Sequence, residues 1–154
     1  MQFKPPTPLP SSFDEPTVFL AGSIEQGQAV DWQAKAAKAL EPHGVTILNP
    51  RRDVWNASWE QRITSAPFRE QVEWELDGLT RCEAVLMYFA PGTQAPITLL
   101  ELGLVAPSGK LIVSCPDGFW RKGNVEIVCA RFGVPVVDEL EEAIELTRKA
   151  LQSR

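Results

Sequence analysis

Histidine is nearly missing from this chain of 154 residues: there is one, His43, set between Pro42 and Gly44 in a stretch that reads as a turn. That scarcity removes a histidine-based metal site and a Ser-His-Asp triad from consideration. Cysteine is sparse as well. Cys82, Cys115 and Cys129 are an odd number without CxxC spacing, which fits a reduced, cytoplasmic protein better than a disulfide framework. No signal-peptide pattern is read, and no run approaches the ~18 consecutive apolar residues of a membrane span. A basic amphipathic stretch that would lie on a membrane is lacking too. Positive charge is in deficit, with 15 Lys and Arg against 20 Asp and Glu and a net charge of −5. A dedicated nucleic-acid partner calls for a basic stripe, so none is expected.

What is present is an ordinary globular composition, 44% hydrophobic and 23% charged, in a length that suits one domain. Residues 1–16 hold five of the thirteen prolines and read as a flexible Pro-rich arm ahead of a single domain over 17–154. Short apolar runs at 17–22, 44–50, 85–89, 110–116 and 133–137 read as strands. Helical patterns fall between them at 29–41, 67–81, 96–106 and 123–132. A last helix follows Asp138, with Glu141 completing a capping box and Leu140, Ile144, Thr147 and Leu151 as its inner stripe. This alternation predicts an α/β fold: a flavodoxin-like, doubly wound, five-stranded parallel sheet in a three-layer α/β/α sandwich. Ligands in such folds bind beyond the carboxyl ends of the strands.

Three strand-to-helix junctions reach that rim. "AGSIEQG" (21–27), with Gly22 and Ser23, is either a close backbone approach to a sugar or phosphate or an ordinary tight turn. The segment 50–66 is long for a crossover. It is either a surface loop or a lid, with Trp55 and Trp59 over a planar base and Arg51 and Arg52 meeting anionic groups. "APGTQAPITLLE" (90–101) enters a helix at Pro96, a residue suited to the first helical position.

That helix, "PITLLELGLV", is apolar all round except for Glu101. Such helices are usually buried, and a carboxylate out of water is costly unless paired or put to use. The helix before it carries a second inward acid. At ~100° per residue, with Phe68 at zero, Leu79, Val72 and Leu76 fall near 20°, 40° and 80°, and Glu75 falls near −20°, inside the apolar arc. Glu70, Glu73 and Asp77 lie on the far side. Two inward carboxyls with no metal ligands around them point to acid, base or nucleophile chemistry at a glycosidic bond, with no cofactor.

The pieces "FLAGSI" (19–24), "NPRR" (49–52), "EWELDGL" (73–79), "PITLLELG" (96–103) and "RKGNV" (121–125) together resemble the nucleoside 2-deoxyribosyltransferase family from about Val18 to Val137. The resemblance implies that Glu101 is the nucleophile and puts Glu75, chosen independently by helical phase, in register with the family's upstream acid. It implies further that Asn124, supplied by a neighbouring subunit, completes the pocket of a homo-oligomer (dimer-based, a tetramer or a hexamer). Three positions depart from the pattern. Phe19 replaces a frequent Tyr, Ala95 stands where an aspartate contacts the base, and Glu126 replaces a methionine. With Phe19, Gly22, Ser23, Arg51, Trp55, Trp59, Ala95 and Asn124 around the sugar and base, the expected activity is retaining transfer of 2-deoxyribose between purine and pyrimidine bases. The expected partners are small deoxynucleosides and free bases. Two alternatives stand beside it: hydrolysis of deoxynucleosides or their 5′-monophosphates, and a non-catalytic nucleotide sensor.

Overall fold

The computed structural model describes residues 1–25, 29–54 and 56–153. Its six strands are β1 (Gln2–Phe3), β2 (Thr17–Gly22), β3 (Thr46–Leu48), β4 (Ala84–Tyr88), β5 (Leu111–Ser114) and β6 (Val136–Val137). Its α-helices are α1 (Trp32–Leu40), α2 (Ala66–Arg81), α3 (Pro96–Val105), α4 (Lys122–Phe132) and α5 (Leu140–Gln152). All strand pairs are parallel, in the order β1-β3-β2-β4-β5-β6.

β2 explains the layering. Its residues are apolar on both faces because both faces are covered, as a parallel sheet requires. Phe19 and Ala21 join the core shared with Trp74 of α2, Leu102 of α3 and Val125 of α4. Val18 and Leu20 join the opposite core with Trp32 of α1 and Ile144 of α5. The result is the expected three-layer, doubly wound sandwich. The chain reverses its direction of winding between β2 and β4, so the carboxyl ends of these two neighbours form the switch point.

The sheet has six strands rather than five, because the Pro-rich arm adds one. Gln2 and Phe3 pair with Ile47 and Leu48. Beyond β1 the arm runs along α2. The Trp74 indole donates to the Thr7 carbonyl at 2.9 Å, and the Arg81 guanidinium donates to the Pro10 carbonyl and covers the Phe13 ring at 4.9 Å. Composition alone reads this segment as loose. Proline lacks an N–H but keeps its carbonyl, so a Pro-rich segment outside any strand still supplies acceptors to donors on a neighbouring helix.

Other expectations change in detail. The buried face of α2 is set by Gln71, Trp74, Gly78 and Leu79, which centres it about 60° behind Phe68. Leu76 is consequently 44% exposed, while Glu75 stays within the inward arc. On α5 the stripe holds, with Leu140, Ile144, Thr147 and Leu151 buried. Its capping box does not form: Glu139 is the cap residue without a side-chain bond, and Glu141 pairs with Lys35 of α1. Finally, α3 is not buried all round. Ile97, Leu100 and Leu104 are 58%, 62% and 56% exposed, forming an outer face that nothing in the chain covers among the described residues.

Among the described residues no helix is long and apolar enough to cross a membrane. All three cysteines are buried thiols.

Candidate active site

The site is built where the β2 and β4 loops meet. Gly22 pairs with Tyr88, and a Cβ at Gly22 would lie 2.4 Å from the Tyr88 carbonyl oxygen and 2.5 Å from the Trp32 ring. No side chain fits there, which lets the next residue turn across the sheet. The Ser23 backbone N–H donates to the Tyr88 carbonyl at 3.1 Å. Its hydroxyl accepts from the Ala90 N–H at 3.0 Å and lies 2.7 Å from the Thr93 hydroxyl. Thr93 already donates to the Ala90 carbonyl at 2.8 Å, so the proton between the two hydroxyls belongs to Ser23. Each group of this knot has one assigned role, and Ser23 uses its hydroxyl to hold the third loop.

Glu25 adds a second tie. Its carboxylate accepts from the N–H groups of Gln94 and Ala95 at 3.1 and 2.9 Å. Ala95 is buried in a left-handed conformation, φ 44°, as the residue that caps α3, and it offers no side-chain acceptor. A carboxylate from the β2 loop therefore supplies the acceptor that the helix start lacks. The start of α3 is fixed from outside its own sequence, and with it the direction of Glu101.

Glu101 lies about one and a half turns into α3, beyond the first turn where the helix dipole would help its charge. It is 7% exposed, and among the described residues no hydrogen bond or ion pair engages its carboxyl group. Burial pushes its pKa up to about 8, and the nearby charge of Glu75 pushes in the same direction. Glu75 is half-buried on α2. Burial raises it to about 7, against a lowering by the Gln71 hydrogen bond and the Arg52 charge. The two carboxyls interact, so the first proton leaves the pair, not one residue. Near neutral pH the pair holds roughly one proton.

Around Glu75 the structure adds Gln71, which the motif reading did not place in the site. Gln71, one helical turn before it, donates from Nε2 to Glu75 Oε1 at 2.7 Å and to the Pro50 carbonyl at 3.1 Å. Its Oε1 accepts from Arg52 Nε. The Arg52 guanidinium also lies over the Trp59 ring at 4.9 Å, and its Nη2 is buried without a hydrogen-bond partner among the described residues. Gln71 falls about 60° behind Phe68, outside the arc set by Val72, Leu76 and Leu79, and becomes inward only on the face that the structure shows.

The remaining candidates are placed as follows. Phe19 is fully buried, packed on Trp74 at 6.2 Å between centroids and on Gly78, where a Cβ would come within 2.7 Å of its ring. Arg51 braces the segment before α1, donating to the Ala29 carbonyl at 2.9 Å with Asp31 at 4.0 Å. Trp59 is half-buried under Arg52, and Asn124 is exposed near the start of α4. Trp55 lies outside the described residues. The structure thus brings Glu101 and Glu75 together, with Gly22, Ser23 and Ala95 building the frame that holds α3.

A flavodoxin-like parallel sheet with two interacting carboxyls, one buried and one half-buried, beside its switch point defines the class: an α/β protein with the side chains that glycosidic-bond chemistry uses. The chain belongs to the nucleoside 2-deoxyribosyltransferase-like family, whose description, "Nucleoside 2-deoxyribosyltransferase like", matches residues 15–119. That range contains both acids and ends before Asn124. No curated protein matches the chain in sequence. Among solved structures, a conserved protein from Enterococcus faecalis V583 superposes with a TM-score of 0.65 at 9% identity, covering 89% of this chain and 99% of that one. The CMP N-glycosidase BcmB of Clostridium botulinum superposes with a TM-score of 0.51 at 18% identity, covering 84% and 96%. These likenesses show a shared fold.

Proposed function

We propose that this chain is a nucleoside 2′-deoxyribosyltransferase, moving 2-deoxyribose between purine and pyrimidine bases with retention. The observation that carries the reading is Glu101: a buried carboxyl with no cation or donor to neutralise it among the described residues, coupled to a second acid. A structural carboxylate would be paired. An unpaired one held next to a proton source suits a nucleophile.

In the first step the pair reacts in the tautomer with its one proton on Glu75, the minor one because burial raises Glu101 further than Glu75. An oxygen of the ionised Glu101 attacks C1′ as the C1′–N bond breaks through an oxocarbenium-like transition state. The bond's electron pair goes to the departing base, which takes the proton held by Glu75. In the second step a nitrogen of the incoming base attacks C1′ of the deoxyribosyl ester, and its proton passes to Glu75 while the Glu101 carboxylate leaves. Two inversions give retention. Of the protein's groups, Glu75 alone gains or loses a proton in this scheme. A 2′-hydroxyl would withdraw electron density from the developing cation, so deoxy sugars are favoured. Trp59 would face the base in this scheme, while Phe19 and Ala95, both buried, would act through the placement of α2 and α3, with Arg51 fixing the loop before α1.

The chain would act as a homo-oligomer. Exposed Ile97, Leu100 and Leu104 on α3 and Ile127 on α4 are the kind of apolar surface that marks an interaction site. Exposed Asn124 on α4 would then reach a neighbour's pocket.

Hydrolysis is the second reading, favoured by the likeness to a fold neighbour that is a CMP N-glycosidase. There water replaces the second base. Deoxyadenosine with and without cytosine separates the two. Deoxycytidine formed at the expense of free sugar supports transfer, whereas 2-deoxyribose alone, unaffected by cytosine, supports hydrolysis. Absence of any cleavage across nucleosides and their 5′-monophosphates refutes both.

A further inference from the structure

Three groups lie in series behind Glu75, and their donor and acceptor chemistry leaves little freedom. Arg52 Nε–H can only donate, and the Pro50 carbonyl can only accept. Gln71 sits between them, accepting from the first and donating to the second. Turning its amide over would set NH2 against N–H and oxygen against oxygen. The orientation of Gln71 is therefore forced by its neighbours, and its remaining N–H must point to Glu75 Oε1.

We propose that Gln71, locked by Arg52, is a positioning residue that divides the two oxygens of Glu75, holding Oε1 as a permanent acceptor so that Oε2 alone takes and returns the proton. A carboxyl free to rotate offers its proton from either oxygen in several directions. One whose Oε1 is always engaged by an N–H presents it from Oε2 only, which shortens the search for a productive geometry. The groups that bear on Glu75 are Gln71 on its own helix, Arg52 from the segment after β3 and Glu101 from α3. Gln71 and Arg52 favour the ionised form and Glu101 opposes it, so loss of Gln71 or of its lock raises the pH at which Glu75 titrates.

The catalytic part of this inference rests on the reading under "Proposed function"; the titration part does not. The test is therefore read twice. First, carboxyl carbons are followed by NMR against pH in glutamate-labelled protein, with the Glu75 signal assigned by its loss in Glu75→Gln. Gln71→Met removes the donor, and Gln71→Glu keeps the shape and the Arg52 contact while removing the donor when ionised. Gln71→Met is expected to move the Glu75 midpoint up by about one pH unit, the size of one hydrogen bond to a charged group, and Gln71→Glu by more, because its own carboxylate adds like-charge repulsion. Arg52→Met is expected to move it in the same direction, and Arg52→Lys, which keeps a charged donor, by less. Adding Arg52→Met to Gln71→Met is expected to move it less than the sum of the two single shifts, because both act through one chain of bonds.

Second, base release is measured against pH. The acid limb should move with the NMR midpoint, and kcat should fall about tenfold with KM within twofold. An unmoved Glu75 midpoint in both Gln71 variants overturns the inference, as does a pH–rate profile that superimposes on the wild type after scaling. Wild-type protein that cleaves no nucleoside while the NMR shifts appear refutes the glycosidic chemistry and leaves the orientation of Glu75 standing.

Discussion

Replacing Glu101 by Gln should make the protein more stable in mild alkali while removing its activity. The sign follows from proton binding. A glutamate in the unfolded chain titrates near 4.5, whereas in the folded protein burial and Glu75 hold Glu101 up to about 8. The folded state thus binds the extra proton across that interval, and stability falls as pH rises from the lower value through the higher one. Between pH 5.5 and 8.5 the difference amounts to about 3 kcal/mol at 1.36 kcal/mol per pH unit, an upper figure because part of it belongs to the repulsion shared with Glu75. For a domain of this size that corresponds to a relative gain in Tm of about 6–12 °C. A Gln at 101 has nothing to ionise. Its buried amide adds a penalty that is constant with pH, so the slope of Tm against pH, not its absolute value, is the readout. Differential scanning fluorimetry of both proteins from pH 5 to 9 should give curves that diverge upward for Glu101→Gln. Parallel curves would show that Glu101 is ionised or paired throughout and would refute the reasoning.

Activity should follow a bell in pH, rising through about 7 and falling through about 8, midpoints that belong to the carboxyl pair. Below the bell both acids are protonated and the nucleophile is lost; above it both are ionised and the departing base has no proton. Glu75→Gln should abolish the alkaline limb and slow nucleosides with poor leaving groups by more than those with activated bases, measured as kcat/KM over a leaving-group series. Ser23→Ala should leave the Ala90 N–H and the Thr93 hydroxyl without their partner, costing about 1–3 kcal/mol in urea unfolding and lowering kcat through a less fixed α3. Gly78→Ala should cost about 1–3 kcal/mol, because the new Cβ meets the Phe19 ring at 2.7 Å; a neutral result would show that Phe19 can move away from α2.

The two acids were legible in the sequence for different reasons. Glu101 stood out because it is the one charge in an apolar helix, a contrast that needs no knowledge of the fold. Glu75 was legible by phase, although the phase was set from Phe68, Val72 and Leu76 and the true face centres on Gln71, Trp74 and Gly78. Glu75 survived that rotation because it lies near the edge common to both arcs. The frame around them was not legible. Glu25 caps a helix seventy residues further along, and Ser23 completes a bond to Ala90, contacts that no local pattern encodes. The Pro-rich arm misled for a related reason: its acceptors meet Trp74 and Arg81, residues distant in sequence, so composition recorded its prolines without its partners. Arg52 and Gln71 look like surface residues by type, and only the parallel crossover from β3 to α2 sets them side by side.

The most direct test of the account is to trap the sugar on the protein. Incubation with a 2′-fluoro-2′-deoxynucleoside, whose fluorine disfavours the oxocarbenium-like transition state and slows turnover of the ester, should yield one glycosyl adduct by intact-mass spectrometry. Peptide mapping should place it on Glu101, with no adduct in Glu101→Gln. An adduct on another residue, or full base exchange by the Glu101→Gln protein, would contradict the assignment of this carboxyl as the nucleophile.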